Sequence, residues 1–252
     1  MEFEMSDLGL MTYFLGMEIE QSHSVIFISQ RKYIFDVLKR FNLNQCKAIA
    51  TPFDPNMKLS KEDDDSIIDT TIYRSLVGSL LFLTSTRPDI MFSASFLSRF
   101  MNSPSNSHFM AAKRVLKYLK GTSNYGLLYS NNENAKLEGY VDSDWASSVE
   151  DMKSTSSYLF SLGLGYFSWI SKKQEVVTQY TAEAEYIAAA AASNQAIWLR
   201  RLLADFKNDQ SEATLLWCDN KLTIAIANNP VQHSRTKHIL VKYHAIREAK
   251  RN

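Results

Sequence analysis

Two runs near the start of the chain, Tyr13-Phe14-Leu15-Gly16-Met17-Glu18-Ile19 and Val25-Ile26-Phe27-Ile28, are rich in strand-forming residues. The polar Gln21-Ser22-His23-Ser24 lies between them, and the pattern predicts a hairpin. Tyr33, Ile34, Val37, Leu38 and Phe41 then recur at helical spacing, with Ser29 placed as an N-cap. Thr51-Pro52-Phe53-Asp54-Pro55 stops any helix, because proline has no N–H to donate and a fixed φ. Further on, Tyr73 to Thr84 reads as one apolar helix and Arg87-Pro88-Asp89 as the opening of the next. Phe109, Ala112, Val115, Leu116 and Leu119 form the apolar face of a helix over His108–Lys120. Past Gly121 the texture changes: strands are predicted near 125–129, 136–142, 156–161 and 165–170, followed by a long helix from about Ala182 to Phe206. A strand Leu215–Cys218, a helix over 222–228 and a last amphipathic helix bearing Ile239, Tyr243 and Ile246 complete the pattern. From 136 onward the order is β-β-β-α-β-α-α, which implies a mixed sheet with helices against its faces, an α/β (α+β) fold.

The segment 61–69, Lys-Glu-Asp-Asp-Asp-Ser-Ile-Ile-Asp, has five acids against one base and reads as a solvated acidic linker. It separates an opening region, 1–60, from a helical region, 70–130, and a third region follows over 136–252. The formal charge is +1, so any affinity for nucleic acid must come from local patches. Cys46 and Cys218 lie far apart and show no metal-ligand spacing, so neither a disulfide framework nor a zinc knuckle is predicted. No apolar run reaches the roughly 18 residues that a membrane span needs. The acidic start, Met1-Glu2-Phe3-Glu4-Met5-Ser6-Asp7, is neither a secretory signal nor a transit peptide. The expectation is a soluble intracellular chain, cytoplasmic or nuclear, with no membrane partner.

Candidate chemistry lies in where the acids of the second half fall. Asp142 ends the run Leu137-Glu138-Gly139-Tyr140-Val141, Glu185 lies in the first turn of the long helix, and Asp219 follows the Leu215–Cys218 strand. If the first and fourth strands of this region are neighbours, both aspartates project from one edge and the helix acid can face them. Three converging carboxylates repel one another, and hard divalent cations bound through oxygen relieve that repulsion. Taken singly, each acid is more often a turn former or a favourable contact with the helix dipole. Asp144 and Glu183 stand two residues from Asp142 and Glu185 and compete with them as ligands. Glu185 shares its side of the helix with Ala188, Ala189 and Ala192, which would let that face approach the sheet. Lys113, Lys117 and Lys120, at i, i+4 and i+7, form a basic stripe opposite the apolar face, either a solvated surface or a track for phosphates. The last 22 residues hold six bases, Arg235 and Lys237 among them, against one acid, together with His233, His238 and His244. The spacing of His238 and His244 is not that of a helical metal pair, and charge complementarity to nucleic acid is the preferred reading there.

Several motifs in order carry a family resemblance: Tyr140-Val141-Asp142-Ser143-Asp144-Trp145-Ala146, Lys153-Ser154-Thr155-Ser156, Ser168-Trp169-Ile170-Ser171-Lys172-Lys173-Gln174, Thr181-Ala182-Glu183-Ala184-Glu185-Tyr186, Cys218-Asp219-Asn220 and His233-Ser234-Arg235-Thr236-Lys237-His238. They resemble the ribonuclease H domain of copia-type retrotransposon polyproteins. Phe3-Glu4-Met5-Ser6-Asp7-Leu8-Gly9 and Phe14-Leu15-Gly16-Met17-Glu18-Ile19 look like the end of the reverse-transcriptase palm. Tyr73–Leu80, Thr86-Arg87-Pro88-Asp89-Ile90 and Ala112–Thr122 look like its thumb and connection. The resemblance covers essentially the whole chain. It implies a ribonuclease H-like mixed sheet flanked by helices, preceded by a mostly helical reverse-transcriptase region. It also implies two metal ions, Mg2+ or Mn2+, clamping the scissile phosphate of the RNA strand in an RNA–DNA hybrid. Asp142 would be the first ligand, Glu185 the helix carboxylate and Asp219 the ligand on the fourth strand. Selectivity for RNA would come from 2′-hydroxyls and hybrid shape. Lys113, Lys117, Lys120, Arg235 and Lys237 would contact the nucleic-acid backbone without sequence preference. The rest of a Pol polyprotein is a further implied partner.

Two departures from the family pattern bear on activity. The Tyr-x-Asp-Asp motif of the polymerase would precede Phe3, and Asp63-Asp64-Asp65 is no substitute in a polar loop, so polymerase chemistry is not expected of this chain. The family nuclease continues after the helix resembling 236–250 into a strand and a helix that supplies a fourth acid, and Leu240 stands where an aspartate is common. Two readings follow: a ribonuclease H, weakly active or inactive as an isolated chain, or a non-catalytic nucleic-acid-binding remnant of a transposable element.

Overall fold

A computed structural model describes residues 9–54, 57, 59–61, 68–132, 135–148 and 150–228. The chain divides into two compact units, Met1–Met57 with Asp65–Asn131, and Lys58–Asp64 with Asn132–Asn252. It is a mixed α/β protein with two four-stranded sheets and six α-helices among the described residues.

The first unit opens with β1 (Tyr13–Phe14), β2 (Met17–Gln21) and β3 (Val25–Ser29). The run predicted as one strand over Tyr13–Ile19 is broken by a two-residue turn. Leu15 and Gly16 both have positive φ, the backbone hand that matches the twist of a tight hairpin. β3 then pairs antiparallel with β4 (Gly126–Ser130), completing the order β1-β2-β3-β4. This pairing joins the opening hairpin to the region that follows the helices.

Helix α1 (Arg31–Arg40) buries Ile34, Val37 and Leu38, but Ser29 is not its cap. Ser29 stays in the ladder opposite Glu18 and Gly126, and Gln30 holds the cap position without a side-chain cap bond. The Gln30 Oε1 instead accepts from the Thr86 hydroxyl at 2.7 Å. Helix α2 (Thr70–Leu83) starts earlier than the apolar pattern suggests, because the Asp69 carboxylate accepts from the Thr71 N–H at 2.7 Å and caps it. A 3-10 turn at Pro88–Ile90 leads into α3 (Met91–Ser98), and α4 (Asn106–Gly121) opens on a reciprocal cap between Ser105 and His108. The interior of this unit is made of large side chains: Tyr73, Leu76, Leu80, Leu83, Leu97 and Leu116 are fully buried. No described helix is long and apolar enough to cross a membrane.

In the second unit β5 (Leu137–Asp144), β6 (Thr155–Leu162) and β7 (Gly165–Lys173) form an antiparallel meander. β8 (Leu215–Trp217) adds to the other side of β5 in parallel, giving the order β7-β6-β5-β8. Along β5, Leu137, Gly139 and Val141 are buried and Tyr140 and Asp142 exposed, the period of a strand with one covered face. The cover is α5 (Thr181–Asp205), whose Ala188, Ala189, Ala192 and Ala196 pack with Leu137, Val141 and Phe160. Short side chains bring this helix close to the sheet. Gly139 is needed beneath it, since a Cβ there would sit 2.6 Å from both Phe160 and Leu216. Helix α6 (Lys221–Asn228) lies against α5 through Ile226 and Tyr186, and the Thr223 hydroxyl donates to the Ala182 carbonyl at 3.0 Å. The amphipathic helix predicted at the end of the chain lies outside the described residues.

Candidate metal centre

The parallel pairing of β5 with β8 sets the geometry of the site. Tyr140 lies opposite Trp217, the last paired position, and Asp142 and Asp219 each follow it by two residues; Asp142 is not in the group of donors that converge within 4.8 Å. The start of α5 is tied down beside this edge by Gln174, whose side-chain amide donates to the Ala184 carbonyl at 2.9 Å and to the Ser156 hydroxyl at 2.8 Å. α6 begins directly after Asp219, where the Asn220 Oδ1 accepts from the Thr223 N–H at 3.0 Å.

Glu185 projects from α5 into this edge and is only 6% exposed. Its Oε1 accepts from the Ser143 N–H of β5 at 3.1 Å, whereas its Oε2 is buried with no hydrogen-bond partner. One carboxylate oxygen of Glu185, one of Asp219 and the Cys218 thiol sulfur lie within 4.8 Å of one another. Burial pushes the Glu185 carboxyl above its ordinary value; the Ser143 N–H opposes that, and the charges of Asp142 and Asp219 add to it. Burial likewise raises the Cys218 thiol, and the negative charges of Glu185, Asp219 and Asp142 act in the same direction. Thus Asp142, Glu185 and Asp219 share one electrostatic environment, with Asp142 and Asp219 exposed at the rim and Glu185 at the floor.

Of the two glutamates that compete in the sequence, Glu183 turns back on its own helix start and accepts from the Gln179 N–H at 2.7 Å. Asp144 is at the exposed end of β5, paired across the ladder with Thr155. Oxygen donors of this kind are ones that could hold a divalent cation.

The reverse transcriptase (RNA-dependent DNA polymerase) family profile matches residues 1–55. The chain is 40% identical over 245 residues to the retrovirus-related Pol polyprotein from transposon RE1 of Arabidopsis thaliana, covering 97% of this chain and 17% of that protein. It is 39% identical over 255 residues to the Pol polyprotein from transposon TNT 1-94 of Nicotiana tabacum, covering 98% of this chain and 19% of that protein. The chain belongs to the copia-type retrotransposon Pol polyproteins. It spans less than a fifth of the length of these relatives, which are larger polyproteins. A shorter relative, an uncharacterized mitochondrial protein of Arabidopsis thaliana, is 36% identical over 196 residues, 78% of this chain and 81% of its own length.

The basic stripe of this Pol chain divides on inspection. The Lys120 ammonium is consumed inside its own unit, donating to the Asn44 carbonyl at 2.9 Å and the Cys46 carbonyl at 2.5 Å. It does not stand free beside Lys113 and Lys117, and this corrects its placement on an open face. Lys113 lies over the Phe109 ring at 4.3 Å and lines an open groove of about 490 Å³ with Arg40, Asn42, Thr71 and Ser75. Lys117 is half-buried on the same helix. Arg235 and Lys237 lie outside the described residues. Cys218 is the site residue that sequence reasoning passed over. The signal was its position next to Asp219, but its significance depends on Glu185, which is far away in sequence.

Proposed function

We propose that the second unit is a ribonuclease H-like domain that cleaves the RNA strand of an RNA–DNA hybrid, using Mg2+ or Mn2+ held by Asp142, Glu185 and Asp219. The observation that supports this reading is Glu185, whose buried Oε2 has no hydrogen-bond partner and one of whose carboxylate oxygens lies in the cluster with Asp219. A carboxylate costs several kcal/mol to bury unpaired, and the missing partner has the chemistry of a cation. When bound, the cations supply an activated water and stabilise the leaving 3′ oxygen. The protein's own part is positional. The Ser143 N–H holds one Glu185 oxygen at 3.1 Å, and Asp142 and Asp219 each follow the Tyr140–Trp217 pair by two residues. Asp142 and Asp219, being exposed, are the acids that a phosphate backbone can approach. The first unit, as the end of a reverse-transcriptase region, would hold the duplex backbone through Lys113, Lys117 and Arg40.

The test is a hybrid labelled on its RNA strand, incubated with purified chain and Mg2+ or Mn2+. Cleavage that falls by on the order of 1,000-fold or more in Asp142→Asn and Asp219→Asn, with hybrid binding retained, is the expected result. Hybrid bound but uncut at every metal concentration would overturn the nuclease reading in favour of a non-catalytic binding module.

A further inference from the structure

The Cys218 sulfur changes which ions this cluster takes. Carboxylate oxygens alone select magnesium-class ions, and a thiolate within the same donor set selects zinc-class ions. We propose that Glu185, Cys218 and Asp219 form a mixed sulfur–oxygen site for a thiophilic divalent cation, of which Zn2+ and Cd2+ are the probes. Two independent observations support it. The three donor atoms already lie within 4.8 Å of one another, and the Glu185 Oε2 is an unpartnered polar atom on a side chain only 6% exposed.

The geometry suits the ion. Zinc binds sulfur at about 2.3 Å and carboxylate oxygen at about 2.0–2.2 Å, which places tetrahedral donors roughly 3.3–3.8 Å apart. The cluster therefore closes by about 1.5 Å at most, and Asp219 is its exposed member. Three protein donors leave a fourth position open to water. On binding, the thiol S–H releases its proton to solvent and a metal–sulfur bond replaces it, with no change in oxidation state. Glu185 gains the cationic partner that the surrounding protein does not supply. Since Glu185 and Asp219 are also the ligands in the nuclease proposal, a zinc-class ion would exclude the catalytic ion. That consequence rests on the nuclease reading, whereas the binding does not.

The experiment uses the full chain carrying Cys46→Ser, so that Cys218 is its remaining thiol. Titration with Cd2+ should produce sulfur-to-metal charge-transfer absorption that saturates at one ion per chain. Added Cys218→Ser should abolish the band. Glu185→Gln and Asp219→Asn should keep it but weaken Cd2+ at least about tenfold each, with circular dichroism reporting that they fold. Absorption that withstands about a hundredfold excess of Mg2+ completes the expected pattern. No band, or a band indifferent to both carboxylate substitutions, would overturn the inference by showing no more than an isolated thiol. Hybrid cleavage is read separately. A band without Mg2+-dependent cleavage sinks the nuclease reading alone, and cleavage without a band sinks this inference alone.

Discussion

Arg87 in the first unit and Glu185 in the second are both buried charges, and they are treated in opposite ways. Arg87 of the first unit is 1% exposed and its fork is filled. Nε and Nη2 donate to the two Asp89 oxygens at 2.9 and 2.6 Å, and Nη1 and Nη2 donate to the Thr122 carbonyl and hydroxyl at 2.9 and 2.6 Å. The rings of Tyr118 and Tyr125 lie 5.6 and 5.4 Å from the guanidinium. Glu185 of the second unit is nearly as buried, yet only the Ser143 N–H and hydroxyl favour its charge, and it faces like charges. Burial alone therefore does not distinguish a structural charge from a functional one. The distinguishing feature is whether the surrounding protein completes the charge's partners or leaves them to something from solution. The neighbouring cores fit the same contrast. The first unit's core is built of large side chains such as Tyr73, Leu76 and Leu116, and that of the second has an alanine face on the helix that carries Glu185.

The contrast breaks most visibly through stability. Arg87→Met should cost the first unit about 3 kcal/mol in denaturant unfolding, since it strips partners from Asp89 and leaves the Thr122 carbonyl short of a donor. Arg87→Lys should recover only part of this, because an ammonium cannot span both oxygens of Asp89 and Thr122 together. Glu185→Gln should act in the other direction in metal-free protein, stabilising the second unit by about 1 kcal/mol. The neutral amide removes a buried charge and offers donors to Asp142 and Asp219. A destabilised, metal-free Glu185→Gln would show that Glu185 is as structural as Arg87.

The pH dependence sharpens the same point. Burial and the neighbouring aspartates raise the Glu185 carboxyl above its ordinary 4.5, so the folded chain holds that proton more tightly than the unfolded one. Its contribution to stability is full below pH 4.5 and is lost as the pH rises through the raised value. Asp151 behaves conversely. Burial would raise it, but hydrogen bonds from Lys173 and Ser148 and the Lys173 charge override that and hold it down to about 2. Its contribution is present above pH 3.8 and is lost as the pH falls towards 2. In chelator, unfolding of the wild type should show the decline above pH 4.5, and Glu185→Gln should flatten that limb while leaving the acid limb unchanged.

Hydrophobic periodicity reveals which residues are covered more readily than what covers them. The apolar helices and the alternating strands of both units are legible because burial repeats with the period of each element. The fourth strand of the first sheet illustrates the limit. Residues near 125–129 read as a strand, but nothing local says that they pair with Val25–Ser29, about a hundred residues earlier. Boundaries fail for a related reason: Ser29 has the chemistry of a cap, and the ladder claims it first. At the candidate site the three acids stand out by their places at element ends, and the alanines beside Glu185 favour it over Glu183. The orphaned oxygen and the proximity of Cys218 arise only when α5 meets the β5–β8 edge, so no spacing in the sequence encodes them.

The same contrast separates two lysines that the sequence places on one stripe, the smallest effect being that of Lys117 on stability. Lys120 caps carbonyls of the segment after α1, so Lys120→Met should cost the first unit about 1.5 kcal/mol, the range of a charged hydrogen bond. Its effect on hybrid binding should vanish once the folded fraction is accounted for. Lys117→Met should do the reverse, shifting stability by no more than about 0.5 kcal/mol. It should also reduce the slope of log affinity against log salt by about 1, as the loss of one phosphate contact would. Equal salt slopes for the wild type and Lys117→Met would mean that this helix face is merely solvated. An ammonium occupied by backbone carbonyls has little left to offer a phosphate, and that competition, more than position on the stripe, decides which lysine can bind.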